Sequence, residues 1–306
     1  MRKTFIDTLC KIAKDNENVW LLSGDLGYSV LEQFSRQFPN RYINTGVAEQ
    51  NMMGVAAGLS LSGKIVFTYS ISNFTVMRCL EQIRNDICYH NLNVNIVGVG
   101  GGFTYGSAGY SHHAVEDYGV LMPMPNMSIF VPCDPIETKL CIENAYGFEG
   151  PSYIRLEKNC DYTVHDKTPH YSIGNPIRIL EGKDATIVST GGVVNQAMTA
   201  AKLLANLDIN VSVISLPSVK PIDLKSLAAV LNTPIIITIE EHSEFGGISQ
   251  LVNKAIIQYQ INVNEVVNLC TSDDIIYSIG SQDFIRHKLS MTSEKIKNTI
   301  IKLMNS

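Results

Sequence analysis

The sequence predicts an α/β protein of two consecutive domains, each a mostly parallel sheet flanked by helices. Three observations predict it. Short runs rich in Val and Ile alternate with helical patterns along the whole chain, and strands separated by helices imply βαβ units. Several runs are continuously apolar rather than alternating, as strands covered on both faces must be. Residues 159–176 then break the rhythm: they are polar, lack periodicity and hold His165, Asp166, Lys167, Thr168 and Pro169. A linker at 161–175 is expected there, between a domain at 1–160 and another at 176–306, both of ordinary domain size.

The expected strands of the first domain lie at 19–23, 65–69, 94–99, 128–131 and 153–156, and those of the second at 185–189, 211–215, 235–239 and 266–269. In the second domain a strand runs into Thr190-Gly191-Gly192 and then a helix through Leu207. A glycine turn before a helix can cradle an anion, but it is more often only a tight turn. The Gly-x-Gly-x-x-Gly dinucleotide pattern is absent.

Composition narrows the class. The chain has 306 residues, 45% hydrophobic and 17% charged, with a net charge of −5 and no basic stripe. A nucleic-acid surface is not expected. No apolar run approaches the roughly 20 residues that cross a bilayer, and the acid at Asp7 argues against a signal peptide. The seven cysteines include no Cys-x-x-Cys pair, so neither zinc ligation nor a disulfide framework is expected. A reducing cytoplasm is the simplest location.

One segment carries the chemistry. Met52, Val55, Ala56 and Leu59 follow the spacing of an amphipathic helix, which places Glu49 in its first turn, just after Thr45-Gly46. A Glu there complements the helix dipole and can close a capping box, and by spacing alone that is the commoner use. The other use is a carboxylate beside apolar surface, sharing a proton with a heterocyclic nitrogen. Gly54 and Gly58 lie four apart on the same helix. Each costs about 1 kcal/mol against Ala, which points to close packing against another backbone.

Asn44-Thr45-Gly46-Val47-Ala48-Glu49-Gln50-Asn51-Met52, followed by Gly54-Val55-Ala56-Ala57-Gly58-Leu59, resembles the pyrimidine-binding domain of transketolase-like enzymes. The resemblance covers nearly the whole chain. It implies that Glu49 contacts N1′ of the aminopyrimidine of thiamine diphosphate and so promotes proton loss from the thiazolium. The cofactor carries the hard chemistry and the protein positions it. Ser23-Gly24-Asp25-Leu26-Gly27-Tyr28-Ser29 is similar to a family loop whose Asp lies near the cofactor and whose Ser touches a substrate phosphate, implicating Asp25 and Ser29. Phe74-x-x-x-Arg78-x-x-Glu81-Gln82 resembles the segment whose aromatic stacks on the aminopyrimidine. Phe74 is the expected platform, with Arg78 and Gln82 bordering the cofactor on what reads as a helical polar stripe. Gly109-Tyr110-Ser111-His112-His113 is similar to a loop whose His bonds the reacting hydroxyl or carbonyl. This implicates His112 and leaves His113 without a matching role, structural or exposed. Lys158 falls near a family Arg that binds substrate phosphate, keeping the charge but losing the fork. Ala108 replaces a family Asp that reads a substrate hydroxyl, which puts ordinary sugar phosphates in doubt and suits an unusual acceptor.

The resemblance also shows what this chain lacks. No Gly-Asp-Gly occurs, so no site for the Mg²⁺ that binds the diphosphate is expected here. It implies a separate diphosphate-binding subunit, an α2β2 assembly, and transfer of a two-carbon ketol unit between sugars. The alternative is the β subunit of a 2-oxo acid dehydrogenase E1 component. Such subunits typically carry Glu-Ile-Gln-Phe-x-Asp-Tyr where this chain has Ile65-Val66-Phe67-Thr68-Tyr69-Ser70-Ile71.

Overall fold

Twelve strands carry the architecture, in a computed structural model that describes every residue except Asn159, Asp161 and Ser306. The first six are β1 (Val19–Ser23), β2 (Tyr42–Asn44), β3 (Ile65–Ile71), β4 (Val94–Val99), β5 (Ser128–Phe130) and β6 (Ser152–Leu156). They are followed by β7 (Ile177–Leu180), β8 (Ala185–Ser189), β9 (Val211–Ser215), β10 (Ser218–Lys220), β11 (Ile235–Ser243) and β12 (Glu265–Thr271). One sheet runs β10-β5-β6-β4-β3-β1-β2 and the other β12-β11-β8-β9-β7. Pairing is parallel except at two edges, β10 on β5 and β7 on β9.

The continuous apolar runs have the expected cause. Every residue of β4 is buried, and side chains alternate between two packed faces. Leu22, Val66 and Ile96 join the layer built on Met52, Met53 and Ala56 of the helix Glu49–Leu61. Their neighbours Leu21, Phe67 and Val97 turn to the opposite layer, which includes Phe5 and Leu9 of the helix Arg2–Asp15. No helix among the described residues is long and apolar enough to cross a membrane.

Four details depart from expectation. Strands β2, β7 and β10 were not legible, because each has only three or four residues and carries Asn, Arg or Lys. Gly54 and Gly58 do not pack against a backbone of this chain. Both are exposed, with nothing within 4 Å of where a Cβ would lie. The polar run after Phe74 is not one regular helix. It passes from a helix at Ser72–Val76 through a 3₁₀ turn at Met77–Cys79 to a π-helical turn at Ile83–Cys88, so Arg78, Glu81 and Asn85 do not form a simple stripe. The helix expected through Leu207 ends at Ala205. Asn159, with which the expected linker stretch opens, lies outside the described residues, as does Asp161. The rest of that stretch holds no helix or strand.

The two sheets meet through buried charge. Asp117 pairs with Arg155 at 3.0 Å and accepts from Tyr153 Oη at 2.6 Å. Arg155 donates to the carbonyls of Ala114 and Glu241. Glu241 pairs with Arg286, and Glu240 accepts from the backbone N–H groups of Ile248 and Ser249 and from Tyr118. His242 stacks on Tyr118 at 3.8 Å and accepts from the Gly119 N–H.

Candidate active site

In open parallel sheets, ligands bind outside the carboxyl ends of the strands. The residues singled out from the sequence follow that rule. Asp25 follows β1, Glu49 follows β2, Phe74 and Arg78 follow β3, His112 follows β4 and Lys158 follows β6. Those five strands are contiguous in the sheet.

Glu49 is the first residue of its helix and is 2% exposed. Its Oε1 accepts from Ser70 Oγ at 3.0 Å, and its Oε2 pairs with Arg78 Nη1 at 3.0 Å. The carboxylate therefore does not cap its own helix, and no side chain caps that N-terminus. Gly24 keeps the approach to the carboxylate open. A Cβ there would stand 3.0 Å from Ser70 Oγ and 3.4 Å from Glu49 Oε1.

Arg78 also lies over the Phe74 ring, 4.3 Å from its centroid. Phe74 in turn meets the His112 imidazole edge-on at 5.0 Å. His112 Nδ1 is bonded to Ser111 Oγ at 3.0 Å, and the Ser111 carbonyl accepts from Asn73 Nδ2 at 3.1 Å. The bond at Nδ1 fixes the ring and leaves Nε2 for a ligand. Glu49, Arg78, Phe74 and His112 thus form one chain of contacts. Beneath them, burial pushes the Cys79 thiol up to about 12, with the Glu49 charge adding to it. That thiol stays protonated and inert.

The remaining residues lie further out. Asp25 is exposed in a left-handed backbone conformation, φ 57°, and accepts from Asn44 Nδ2 at 2.9 Å. Ser29 is also left-handed, φ 63°, and does not cap a helix. Its N–H donates to Glu32 at 2.8 Å. Lys158 Nζ stands 4.8 Å from the centre of the Tyr105 ring, which is 6.0 Å from the His112 ring. Gln82 makes none of these contacts, and its buried Oε1 has no partner among the described residues. His113 is buried against Phe103, its pKa lowered by burial, as a structural residue should be.

Sequence reasoning missed Ser70 and Tyr105. Ser70 belongs to a strand whose neighbours are all core, and its role follows only from its position near the carboxyl end of β3. Tyr105 depends on Gly100, where a Cβ would collide with the tyrosine ring. That glycine run was the available signal.

The pyrimidine binding domain of transketolase matches residues 1–160, and the transketolase C-terminal domain matches residues 161–296. The chain belongs to the transketolase family. A relative in Phocaeicola vulgatus, one subunit of an apulose-4-phosphate transketolase, is 34% identical over 86% of this chain and 85% of its own. A 6-deoxy-6-sulfo-D-fructose transketolase subunit, SqwH of a Clostridium species, is 31% identical over 97% of this chain and 92% of its own. A split-gene transketolase solved as an inactive β4 tetramer superposes with a TM-score of 0.87 at 34% identity, over 98% of this chain and 96% of its own. The α/β architecture of two consecutive domains is that of transketolase structures.

Proposed function

We propose that this transketolase chain is the cofactor-activating subunit of a two-subunit transferase that moves a two-carbon ketol unit between sugars. The observation that carries the reading is the Glu49 carboxylate. It is buried, held by Ser70 and Arg78, and placed within one shell of an aromatic face and an imidazole.

The residues fit thiamine diphosphate at its pyrimidine end. Glu49 offers an oxygen to a ring nitrogen, Gly24 leaves the approach clear, and Phe74 offers a flat face once the Arg78 guanidinium moves aside. Asp25, which adjoins Gly24, is assigned to the rim of that space, and Gln82 keeps an unpartnered Oε1 that a bound group would satisfy. When bound, thiamine diphosphate supplies the nucleophilic carbon for cleaving and forming carbon–carbon bonds. This chain's own part is to exchange a proton at Glu49 and to donate or accept one through His112 at the substrate oxygen. Lys158 and Ser29 receive the anionic end of the sugar.

The diphosphate and Mg²⁺ belong on a separate subunit in an α2β2 assembly. Relatives named as single subunits of transketolases support this, as does a relative that is inactive as a β4 tetramer. So do the exposed Gly54 and Gly58 and the buried Asn73 Oδ1 and Gln82 Oε1, which lack partners among the described residues. Two relatives named for uncommon ketoses favour a modified sugar as donor, and Ala108 in the exposed turn before His112 favours an unusual acceptor.

Calorimetry with cofactor and Mg²⁺ tests the proposal, on this chain alone and with its partner. Only the pair should bind tightly, and tight binding by the single chain would sink the split site. A donor and acceptor screen on the pair then identifies the sugars, and a lipoyl-protein acceptor assay tests the E1 alternative.

A further inference from the structure

A second cluster of reactive side chains forms where the first domain meets the linker, and none of its members belongs to the site above. Cys133 follows β5, Glu137 lies in the first turn of the helix Pro135–Gly147, and His165 belongs to the linker. One ligand atom from each, a sulfur, a carboxylate oxygen and a ring nitrogen, lies within 4.8 Å of the other two, and all three residues are buried. No other such group occurs among the described residues. His165 Nε2 stands 2.8 Å from Glu137 Oε1, and the Cys133 N–H donates to Glu137 Oε2 at 2.8 Å. Other bonds bring the linker there. Asp134 Oδ2 accepts from the N–H groups of Val164 at 2.9 Å and His165 at 3.3 Å, and its Oδ1 accepts from the Glu137 N–H at 2.8 Å. A second thiol is close, with Cys160 Sγ 3.8 Å from the Cys133 carbonyl oxygen.

We propose that Cys133, Glu137 and His165 form a zinc site that fastens the linker to the first domain. Sulfur, ring nitrogen and carboxylate oxygen are the donors of a tetrahedral zinc ion, whereas calcium and magnesium take oxygen. Ligands about 2.0–2.3 Å from such an ion stand roughly 3.5 Å from one another, so the three atoms close on it with shifts of roughly an ångström. Charge favours a dication. A Cys133 thiolate and the Glu137 carboxylate carry two negative charges, and His165 is the only basic side chain paired with Glu137 among the described residues. With His165 as a neutral ligand, the ion leaves a neutral cluster, and buried charges are paired or hold a metal. On binding, the Cys133 thiol loses its proton to solvent, and any proton on His165 leaves with it. The Glu137–His165 hydrogen bond gives way to two bonds to the metal. The fourth position falls to Cys160 or a water. Asp134 keeps its bonds to the linker and so holds His165 in reach, as a supporting residue behind the ligands should. No Cys-x-x-Cys spacing marks the site, because its ligands come from a strand end, a helix turn and a linker.

The test uses the full chain, stripped of metal by a chelator and free of any affinity tag. Cobalt(II) should bind one to one, with thiolate-to-cobalt absorption in the near ultraviolet and the strong visible bands of a tetrahedral site, and zinc should displace it. Zinc at a hundredfold above its Kd should raise the melting temperature by roughly 4 °C. Cys133→Ala should abolish the thiolate absorption and weaken zinc binding roughly a hundredfold or more, and His165→Gln should weaken it as much. Circular dichroism of the metal-free variants checks that both still fold. X-ray absorption at the zinc edge of the wild-type chain needs no variant. One or two sulfur ligands beside nitrogen and oxygen support the site, and a shell without sulfur overturns it. The proposal falls equally if cobalt does not bind, if the thiolate absorption survives Cys133→Ala, or if excess zinc leaves the melting temperature unmoved.

Discussion

At the junction between the sheets, the buried charges find their opposites inside the chain. Along the carboxyl edge of the first sheet they do so only in part. Asp117 has Arg155 and Tyr153, Glu241 has Arg286 and Gln282, and Glu240 has two backbone N–H groups. Glu49 has Arg78, but that side chain is 45% exposed, whereas Arg155 and Arg286 at the junction are 6% and 7% exposed. The junction is therefore closed to water, while the site opens onto it. Changes at the first should be read in stability, and changes at the second in binding and turnover.

Asp117→Ala tests the closed side and carries the largest expected effect. It strands the Arg155 guanidinium, which is 6% exposed. Removing one partner of a buried pair typically costs about 3–5 kcal/mol. Urea unfolding should show a loss of that size. A loss under about 1 kcal/mol, the range of an exposed pair, would mean that water reaches Arg155 and that the junction is not closed. Glu49→Gln tests the other side. It keeps the shape and should leave the melting temperature nearly unchanged, yet cut turnover of the assembled pair about a hundredfold or more. Activity close to wild type would reduce the site to a scaffold.

The two regions also differed in how well the sequence exposed them. The grouping of Glu49, Phe74 and His112 was legible because each sits in a short local motif, and the structure brings the three together through Arg78. The short β-rich runs between helical patterns likewise revealed nine strands. The junction was not legible: Asp117, Arg155, Glu241 and Arg286 are far apart in sequence and meet only once both sheets have formed. Strand β10 illustrates the same limit. Three residues, Ser-Val-Lys, become a strand because β5 offers them an edge, not because of their own propensity. Ser70 and Tyr105 were missed for this reason also, since register and packing bring them beside Glu49 and His112.

A pH measurement separates the regions again. Burial, with the Glu241 charge adding and Arg286 opposing, pushes Glu157 at the junction up to about 7 from 4.5. The folded state therefore holds that proton more tightly than the unfolded chain does. Its contribution to stability is complete below about 4.5 and is lost as pH rises through about 7. Glu157→Gln should flatten the fall in unfolding free energy across that same pH window. An unchanged slope would assign it to other groups.

The smallest effect tests the open side most finely. Phe74→Ala removes the ring that Arg78 covers at 4.3 Å and His112 meets at 5.0 Å. Aromatic contacts are worth about 0.5–1.5 kcal/mol beyond their area, so cofactor binding to the pair should weaken roughly two- to twelvefold. The sign carries information about Arg78. If the guanidinium competes with the cofactor for the Phe74 face, removing the ring also frees Arg78, and part of the loss is recovered. Arg78→Ala alone should then tighten cofactor binding, and the double variant should bind worse than Arg78→Ala. If Arg78 instead holds Glu49 in place for the cofactor, Arg78→Ala weakens binding, and the two losses add to more than either alone. Calorimetry on the three variants distinguishes a rival for the ring from a support for the carboxylate.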